Sequence, residues 1–210
     1  ILTISERKRS DNSWVEVYKV EIDPNFRNNR REVKYGNSEV VELHVPQKDP
    51  AKTYDILILP EGYSRGDHEK MMKDARRVAD AYLNFDPYKG MKDKIGIRMV
   101  AFYSKDSGID EPRKGIFKDT AFDCTYNSFD SARYILTPAN KKMRDVAANA
   151  PYENIIFMIN SSRYGGGGIF NLYSTFAIDD AKAAYLILHE SGHSLCALAD
   201  EYYTSSTSYN

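Results

Sequence analysis

The 210-residue sequence is poor in cysteine and histidine, is almost neutral and lacks long apolar runs. Its two cysteines, Cys124 and Cys196, are too few to define a disulfide framework. It contains no run of 18 apolar residues, so nothing predicts a membrane span. The 29 basic and 30 acidic residues are mixed along the chain, which argues against nucleic acid or an anionic membrane as a partner.

The chain does have enough apolar residues for a substantial core. Hydrophobic residues make up 42% of it, which predicts one main domain with a small N-terminal addition. Residues 1–50 are β-rich, because positions 14–22 and 41–45 alternate bulky and polar side chains. We interpret this segment as the tail of an N-terminal β-domain or as extra strands on the core. Residues 51–210 form the predicted main domain.

In the main domain, apolar runs alternate with amphipathic segments. The pattern predicts strands at 55–59, 97–103, 155–159 and 174–178, and helices at 67–83, at about 138–148 and after Asp179-Asp180. The two aspartates would cap the last helix.

The most informative pattern is His189-Glu190-Ser191-Gly192-His193, of the form H-E-x-x-H. Two histidines four apart on a helix project from one face, so both imidazoles can bind a single Zn²⁺. Glu190 lies about 100° around the helix from His189, where it can take a proton from water at the metal. It is the candidate general base. The competing interpretation is an ordinary helix with a polar patch, but the run 181–188 before it is helix-forming and largely apolar.

The third ligand is not settled by this pattern. His44 and His68, the only other histidines, are interpreted as solvated, and none follows His193. Asp200 and Glu201 are the nearest downstream carboxylates. On a continuous helix Asp200 would lie about 10 Å from His193, too far to share an ion. If Asp200 is a ligand, the helix must end soon after His193.

Three other features have structural alternatives. Cys196 could supply a thiolate if the helix continued, although a buried apolar cysteine is commoner. The run of glycines at 165–168 lacks the G-K-[ST] that a nucleotide site requires. It instead forms a wall without side chains, which another backbone can approach closely. Ca²⁺ could bind a group of loop acids, but these lack EF-hand spacing. We interpret them as solvated acids of the loop: Asp106, Asp110, Asp119, Asp123 and Asp130.

Residues 189–202 resemble the H-E-x-G-H-x-x-x-x-L-x-D-E-Y signature of the igalysins, the IgA-peptidase family within the metzincin-like zinc endopeptidases. Residues 55–63 and 160–166 agree with it, so the resemblance covers most of residues 54–203. It implies an α+β fold, a zincin or metzincin-like N-terminal catalytic subdomain in which a twisted mixed sheet carries a backing helix and an active-site helix. The catalytic domain, 51–210, would stop before the methionine turn, since no Met follows Met158.

The resemblance also implies roles for individual residues. Asp200 would be the third ligand, although Ala197 stands where the family has a turn glycine. The stretch 165–178 would hold the extended substrate by main-chain hydrogen bonds. The residues expected to contact substrate are Gly165, Gly166, Gly167, Gly168 and Phe176. Independently of the resemblance, Glu201 and Tyr202 are candidates for supporting the ligands or the oxyanion, with Tyr203 as an alternative to Tyr202, although a structural tyrosine is commoner.

The predicted function is zinc-dependent hydrolysis of peptide bonds in protein substrates, with a host or extracellular glycoprotein among the candidates. One alternative is a non-catalytic glycan- or protein-binding domain with a vestigial zinc site. Another is a thermolysin-type hydrolase, which would need a ligand Glu on a later helix. No charged and apolar leader is found from Ile1 onward, so a secreted or cell-surface location is expected from the resemblance alone. The residues predict neither a particular oligomeric state nor immunoglobulin as the substrate.

Overall fold

The computed structural model describes residues 1–8, 10–11, 13–21, 38–47 and 49–200. The chain divides into two compact units, Ile1–Val33 and Lys34–Asn210. The described part of the first unit is an antiparallel hairpin of β1 (Leu2–Arg7) and β2 (Trp14–Val20), with Leu2 opposite Val20. The second unit contains all the predicted site residues.

The second unit is an α+β domain built on one six-stranded mixed sheet. Its elements are β3 (Glu39–His44), β4 (Tyr54–Glu61), α1 (His68–Asn84), β5 (Ile95–Ala101), α2 (Asn140–Ala147), β6 (Asn154–Ile159), β7 (Gly166–Ile169), β8 (Tyr173–Ala177) and α3 (Ala183–Cys196). The strand order is β3-β5-β4-β6-β8-β7. The four inner strands are parallel, and the two edge strands, β3 and β7, run antiparallel to their neighbours. The predicted fold class is confirmed.

The central strands are apolar on both faces because both faces of the sheet are covered. Along β4, Ile56 and Ile58 point to a core formed with α1 and α3. Leu57 and Leu59 point to a second core formed with α2 and the segment 104–137. Strand side chains alternate between faces, so a continuous apolar run is what a doubly covered strand requires.

Helix α1 packs against α3 within the first core. Its apolar face carries Met71, Val78 and Tyr82, all fully buried. The hydroxyl of Tyr82 hydrogen-bonds the Ser191 hydroxyl, inside the H-E-x-x-H sequence. Ser191 in turn donates to the carbonyl of Ile187 at 2.6 Å.

No helix in the described ranges is both long enough and apolar enough to cross a bilayer.

The N-terminal boundary differs from the one expected at residue 50. Strand β3 belongs to the main sheet, where Val41 pairs with Met99 of β5. Val41 and Leu43 pack against the first core, and that burial holds the strand to the domain. The separation between the two units falls at residues 33 and 34. Of the predicted strand at 14–22, residue 22 lies outside the described residues.

Two histidines interpreted as solvated have partners. A ring nitrogen of His44 lies 2.8 Å from the Lys92 carbonyl, and one of His68 lies 2.8 Å from the Tyr103 hydroxyl. Both are therefore anchored in the domain surface.

Candidate metal centre

Helix α3 places the two motif histidines on one face. His189 Nε2 and His193 Nε2 lie 3.3 Å apart. The two rings are nearly perpendicular, with centroids 4.7 Å apart. The imidazoles therefore present their Nε2 atoms to one point, as the four-residue spacing predicts.

The helix ends at Cys196, as binding by Asp200 requires. Ala197 has a φ of 54°, in the left-handed region where helices commonly end. The N–H of Ala197 donates to the His193 carbonyl, and the N–H of Leu198 donates to the Gly192 carbonyl, both at 3.2 Å. The chain thus turns back toward the helix face, with alanine in a conformation that glycine usually takes.

The turn brings Asp200 onto both histidines. Its Oδ1 lies 3.2 Å from His189 Nε2 and 3.3 Å from His193 Nε2. In a tetrahedral site with metal–ligand distances of about 2.0 to 2.1 Å, ligand atoms lie about 3.3 to 3.4 Å apart. The three atoms therefore form a triangle of the size that one face of such a site needs.

Each histidine has a second contact that orients its ring. His193 Nδ1–H donates to the Leu198 carbonyl, so Nε2 is left free of hydrogen for an ion. His189 Nδ1 lies 3.4 Å from the Tyr185 hydroxyl, and the two rings stack with centroids 5.4 Å apart. Burial lowers the pKa of His189, with the neighbouring His193 adding to the effect. The His189 imidazole is thus suited to the neutral form that binds metals.

Glu190 lies beside the three ligands and is not one of them. Its residue exposure is 8%, and it borders the same cleft as the ligands. Burial raises the pKa of Glu190 to about 7, Asp200 adds to the rise, and His193 and Arg133 oppose it. A carboxylate with a pKa near neutrality can both accept and return a proton, as a general base and acid must.

The glycine run explains how α3 can lie so close to the sheet. On one face of β7, a Cβ at Gly166 would lie 3.0 Å from Glu190 Oε1, and one at Gly168 would lie 2.5 Å from the Glu190 carbonyl. On the other face, Gly165 and Gly167 meet the segment 133–136. The expectation that another backbone approaches this wall agrees with the structure.

The outer edge of β7 is only partly open. The N–H of Gly166 donates to the Arg133 carbonyl at 3.1 Å, and its carbonyl accepts from Ile135 N–H at 3.2 Å. Backbone groups alternate in direction along an antiparallel strand, so those of Gly168 point to the same outer edge. Gly168 lies beyond this covered stretch and borders the cleft.

A cleft of about 1210 Å³ surrounds the three ligands and Glu190. Besides the glycines of β7, its walls include three residues that sequence reasoning missed, Phe129, Arg133 and Tyr185. Tyr185 could have been found, because it lies four residues before His189 on the same helix face. Phe129 and Arg133 come from a distant loop and carry no local signal.

Several predicted residues lie elsewhere. Phe176 is fully buried in the first core, because β8 is an internal strand. The expectation that its side chain contacts substrate is therefore wrong. Cys196 is exposed and is not one of the clustered ligands, and it is not paired with the buried Cys124. Glu201, Tyr202 and Tyr203 lie outside the described residues.

The capping residues and the loop acids also differ from simple expectation. Lys182 occupies the N-cap of α3, and Asp180 accepts a hydrogen bond from its N–H at 2.8 Å. Asp179 instead pairs with Lys70 at 2.7 Å. Two of the loop acids proposed for Ca²⁺ accept backbone hydrogen bonds, Asp106 from Asp119 N–H and Asp110 from Lys118 N–H. Calcium binding there, the less favoured interpretation of these acids, stays untested.

The arrangement of two imidazoles, a carboxylate and an adjacent glutamate in an open cleft is typical of metal-dependent hydrolases. The sequence profile of the family described as IgA Peptidase M64 matches residues 41–210, which is most of the chain. The protein belongs to this family and is therefore a peptidase, so the igalysin resemblance is confirmed. No curated protein matches the chain.

Proposed function

We propose that the protein is a zinc-dependent endopeptidase in which Glu190 is the general base. The observation that supports this most strongly is the triangle of ligand atoms, with edges of 3.2 and 3.3 Å, formed by His189, His193 and Asp200. Those three positions are the ones that the sequence signature implies. The ligand atoms all lie within 4.8 Å of one another.

The donor set favours zinc among the common metals. Two imidazole nitrogens and one carboxylate oxygen suit Zn²⁺, whereas Ca²⁺ and Mg²⁺ take oxygen ligands almost exclusively. Three protein ligands also leave a position open, as catalytic zinc sites do. A bound zinc ion would supply Lewis acidity and would lower the pKa of a water molecule.

The residues of the chain would then carry out the proton transfers and hold the substrate. The Glu190 carboxylate accepts a proton from the attacking water as the water oxygen bonds to the scissile carbonyl carbon. It returns that proton to the leaving amine as the C–N bond breaks, so the carboxylate is regenerated. The outward N–H and C=O of Gly168 hold the extended substrate backbone beside the cleft.

The non-catalytic alternative accounts less well for Glu190. A domain that only retained a zinc site would need the three ligands and their supports, but no buried carboxylate beside them. Glu190 is largely buried at a cost in desolvation, which its raised pKa reflects. A catalytic role provides a reason for that cost. A host or extracellular glycoprotein as the substrate and a secreted or cell-surface location stay predictions.

The metal assignment is tested by zinc content after exhaustive dialysis. The protein should retain one zinc per chain, and His193→Ala and Asp200→Ala should each lose it. His68→Ala is the matched control, because His68, the first residue of α1, contacts the Tyr103 hydroxyl and is not one of the clustered ligands. This variant should keep the ion. Stoichiometric zinc in His193→Ala would refute the ligand set. Cleavage of a fluorogenic peptide library should disappear in the same two variants that lose zinc.

A further inference from the structure

Phe129 is an unusually exposed apolar side chain in the wall of the cleft. It is 85% exposed, yet it lines the same cavity as the metal ligands and Glu190. Burying such a ring is favourable and leaving it in water is not. Its position therefore needs a reason other than packing of the domain.

The backbone around Phe129 is in an unfavourable conformation. Asn127, Phe129 and Asp130 have φ values of 66°, 51° and 56°, all in the left-handed region. Asparagine and aspartate tolerate this region, but a bulky residue such as phenylalanine seldom adopts it. Residues held in such conformations persist only where surrounding contacts impose them, and they cluster at functional sites.

Arg113 supplies the contacts that hold this loop. Its N–H donates to Asn127 Oδ1 at 3.3 Å, and its Nη2 donates to the Asp130 carbonyl at 2.6 Å and to Asp130 Oδ1 at 2.5 Å. Ser128 N–H donates to the Tyr134 carbonyl at 3.3 Å, and Tyr134 forms a bridge with Gly166 of β7. The loop is thereby attached to the strand that borders the metal site.

We propose that Phe129 forms an apolar subsite that recognises a bulky apolar side chain of the peptide substrate. The inference rests on the proposed peptidase function and adds a preference for one class of substrate residue. An extended peptide bound at the outer edge of β7 would pass the loop, because that loop is bridged to Gly166 at one end of the strand. Contact with an apolar substrate side chain would remove the exposed ring from water.

Binding to an inactive protein separates this proposal from catalysis. The background is zinc-loaded Glu190→Gln, and the probes are short fluorescein-labelled peptides that carry Phe, Leu, Ala or Asp at successive positions of a Gly-Ser sequence. Peptides with Phe or Leu at one position should bind about tenfold more tightly than the Ala peptide. Adding Phe129→Ala should abolish that difference. Adding Phe117→Ala should leave it unchanged, because Phe117 is 70% exposed but outside the cleft.

A second variant distinguishes a subsite from a structural role. Phe129→Gly places glycine at a positive φ, so it should raise the melting temperature while it removes the apolar preference. A preference for apolar peptides that survives both Phe129 variants would overturn the proposal, as would equal binding of Phe, Leu and Ala peptides by the Glu190→Gln protein. If the preference is present but the wild-type protein cleaves none of the peptides, the subsite stands and the proposed catalytic function fails.

Discussion

A methyl group added at Gly168 should disable the metal site without replacing any of its ligands. The Cβ of Gly168→Ala would lie 2.5 Å from the Glu190 carbonyl oxygen and 2.7 Å from His193 Cβ. Both neighbours belong to α3, whose backbone cannot rotate out of the way as a flexible side chain would. The strand and the helix must therefore separate.

The required displacement can be worked out from these distances. Ordinary contacts begin at 3.4 Å, so the helix must move by about 0.9 Å, the difference between 2.5 and 3.4 Å. Metal–ligand distances can deviate by only about 0.2 Å from their ideal values. Because α3 carries both histidines and Asp200 lies beyond its end, a shift of the helix moves the histidines relative to Asp200. We expect zinc affinity to fall by about 10- to 100-fold, and stability to fall by about 1 to 3 kcal/mol.

The matched control is Gly167→Ala in the same strand. Its Cβ would face away from α3, where the nearest atoms, the Ile135 carbonyl oxygen and Leu136 Cδ2, lie at 3.3 Å. Zinc affinity, measured by competition with a chromophoric chelator, should stay close to that of the wild type. Equal affinities in the two variants would refute the idea that the bare face of β7 positions the ligands.

Two further predictions concern stability. Ala197→Gly should stabilise the protein by about 0.5 to 1 kcal/mol in denaturant unfolding, because it relieves the strain of an alanine in the left-handed conformation. Ala184→Gly, within α3, should destabilise the protein. A loss of stability in Ala197→Gly would contradict the turn geometry. Burial acts to raise the pKa of Glu111, but hydrogen bonds from Lys114 and Arg163 outweigh it and lower the pKa. A carboxylate with a depressed folded-state pKa stabilises the protein at pH values above its unfolded-state pKa, and this contribution is lost as the pH falls through the folded-state pKa. Glu111→Gln should therefore lower the free energy of unfolding by about 1 kcal/mol at neutral pH and by progressively less below about pH 4. A loss of stability that is independent of pH would refute the ion-pair explanation.

Much of the fold follows from local patterns in the sequence. Apolar runs predicted the central strands because a strand covered on both faces has no polar side to interrupt the run. The amphipathic pattern predicted α1 and α2 to within a few residues of their observed bounds, since helix periodicity is also local. The four-residue spacing of His189 and His193 predicted their shared direction for the same reason.

What the sequence could not supply depends on distant contacts. The pairing of β3 with β5 joins segments far apart in the chain, so residues 38–47 could not be assigned to the main domain. The glycines of β7 have no side chains and hence no strand pattern, and their packing against α3 becomes visible only in three dimensions. Phe176 was misassigned because a single strand does not reveal whether it lies at the edge or inside a sheet. Ala197 adopts a conformation that its residue type does not suggest.

In the proposed mechanism Glu190 acts on water and does not hold the metal. The most direct test of this role is Glu190→Gln, which keeps the size and shape of the side chain but replaces one carboxylate oxygen with an amide NH2 group and so removes its basicity. Zinc content and peptide cleavage are measured on the same preparation, beside the wild-type protein. We expect one zinc per chain in both proteins and a fall in kcat of at least about 10² to 10⁴ in the variant. Near-normal turnover by zinc-loaded Glu190→Gln would contradict the role of Glu190 as general base.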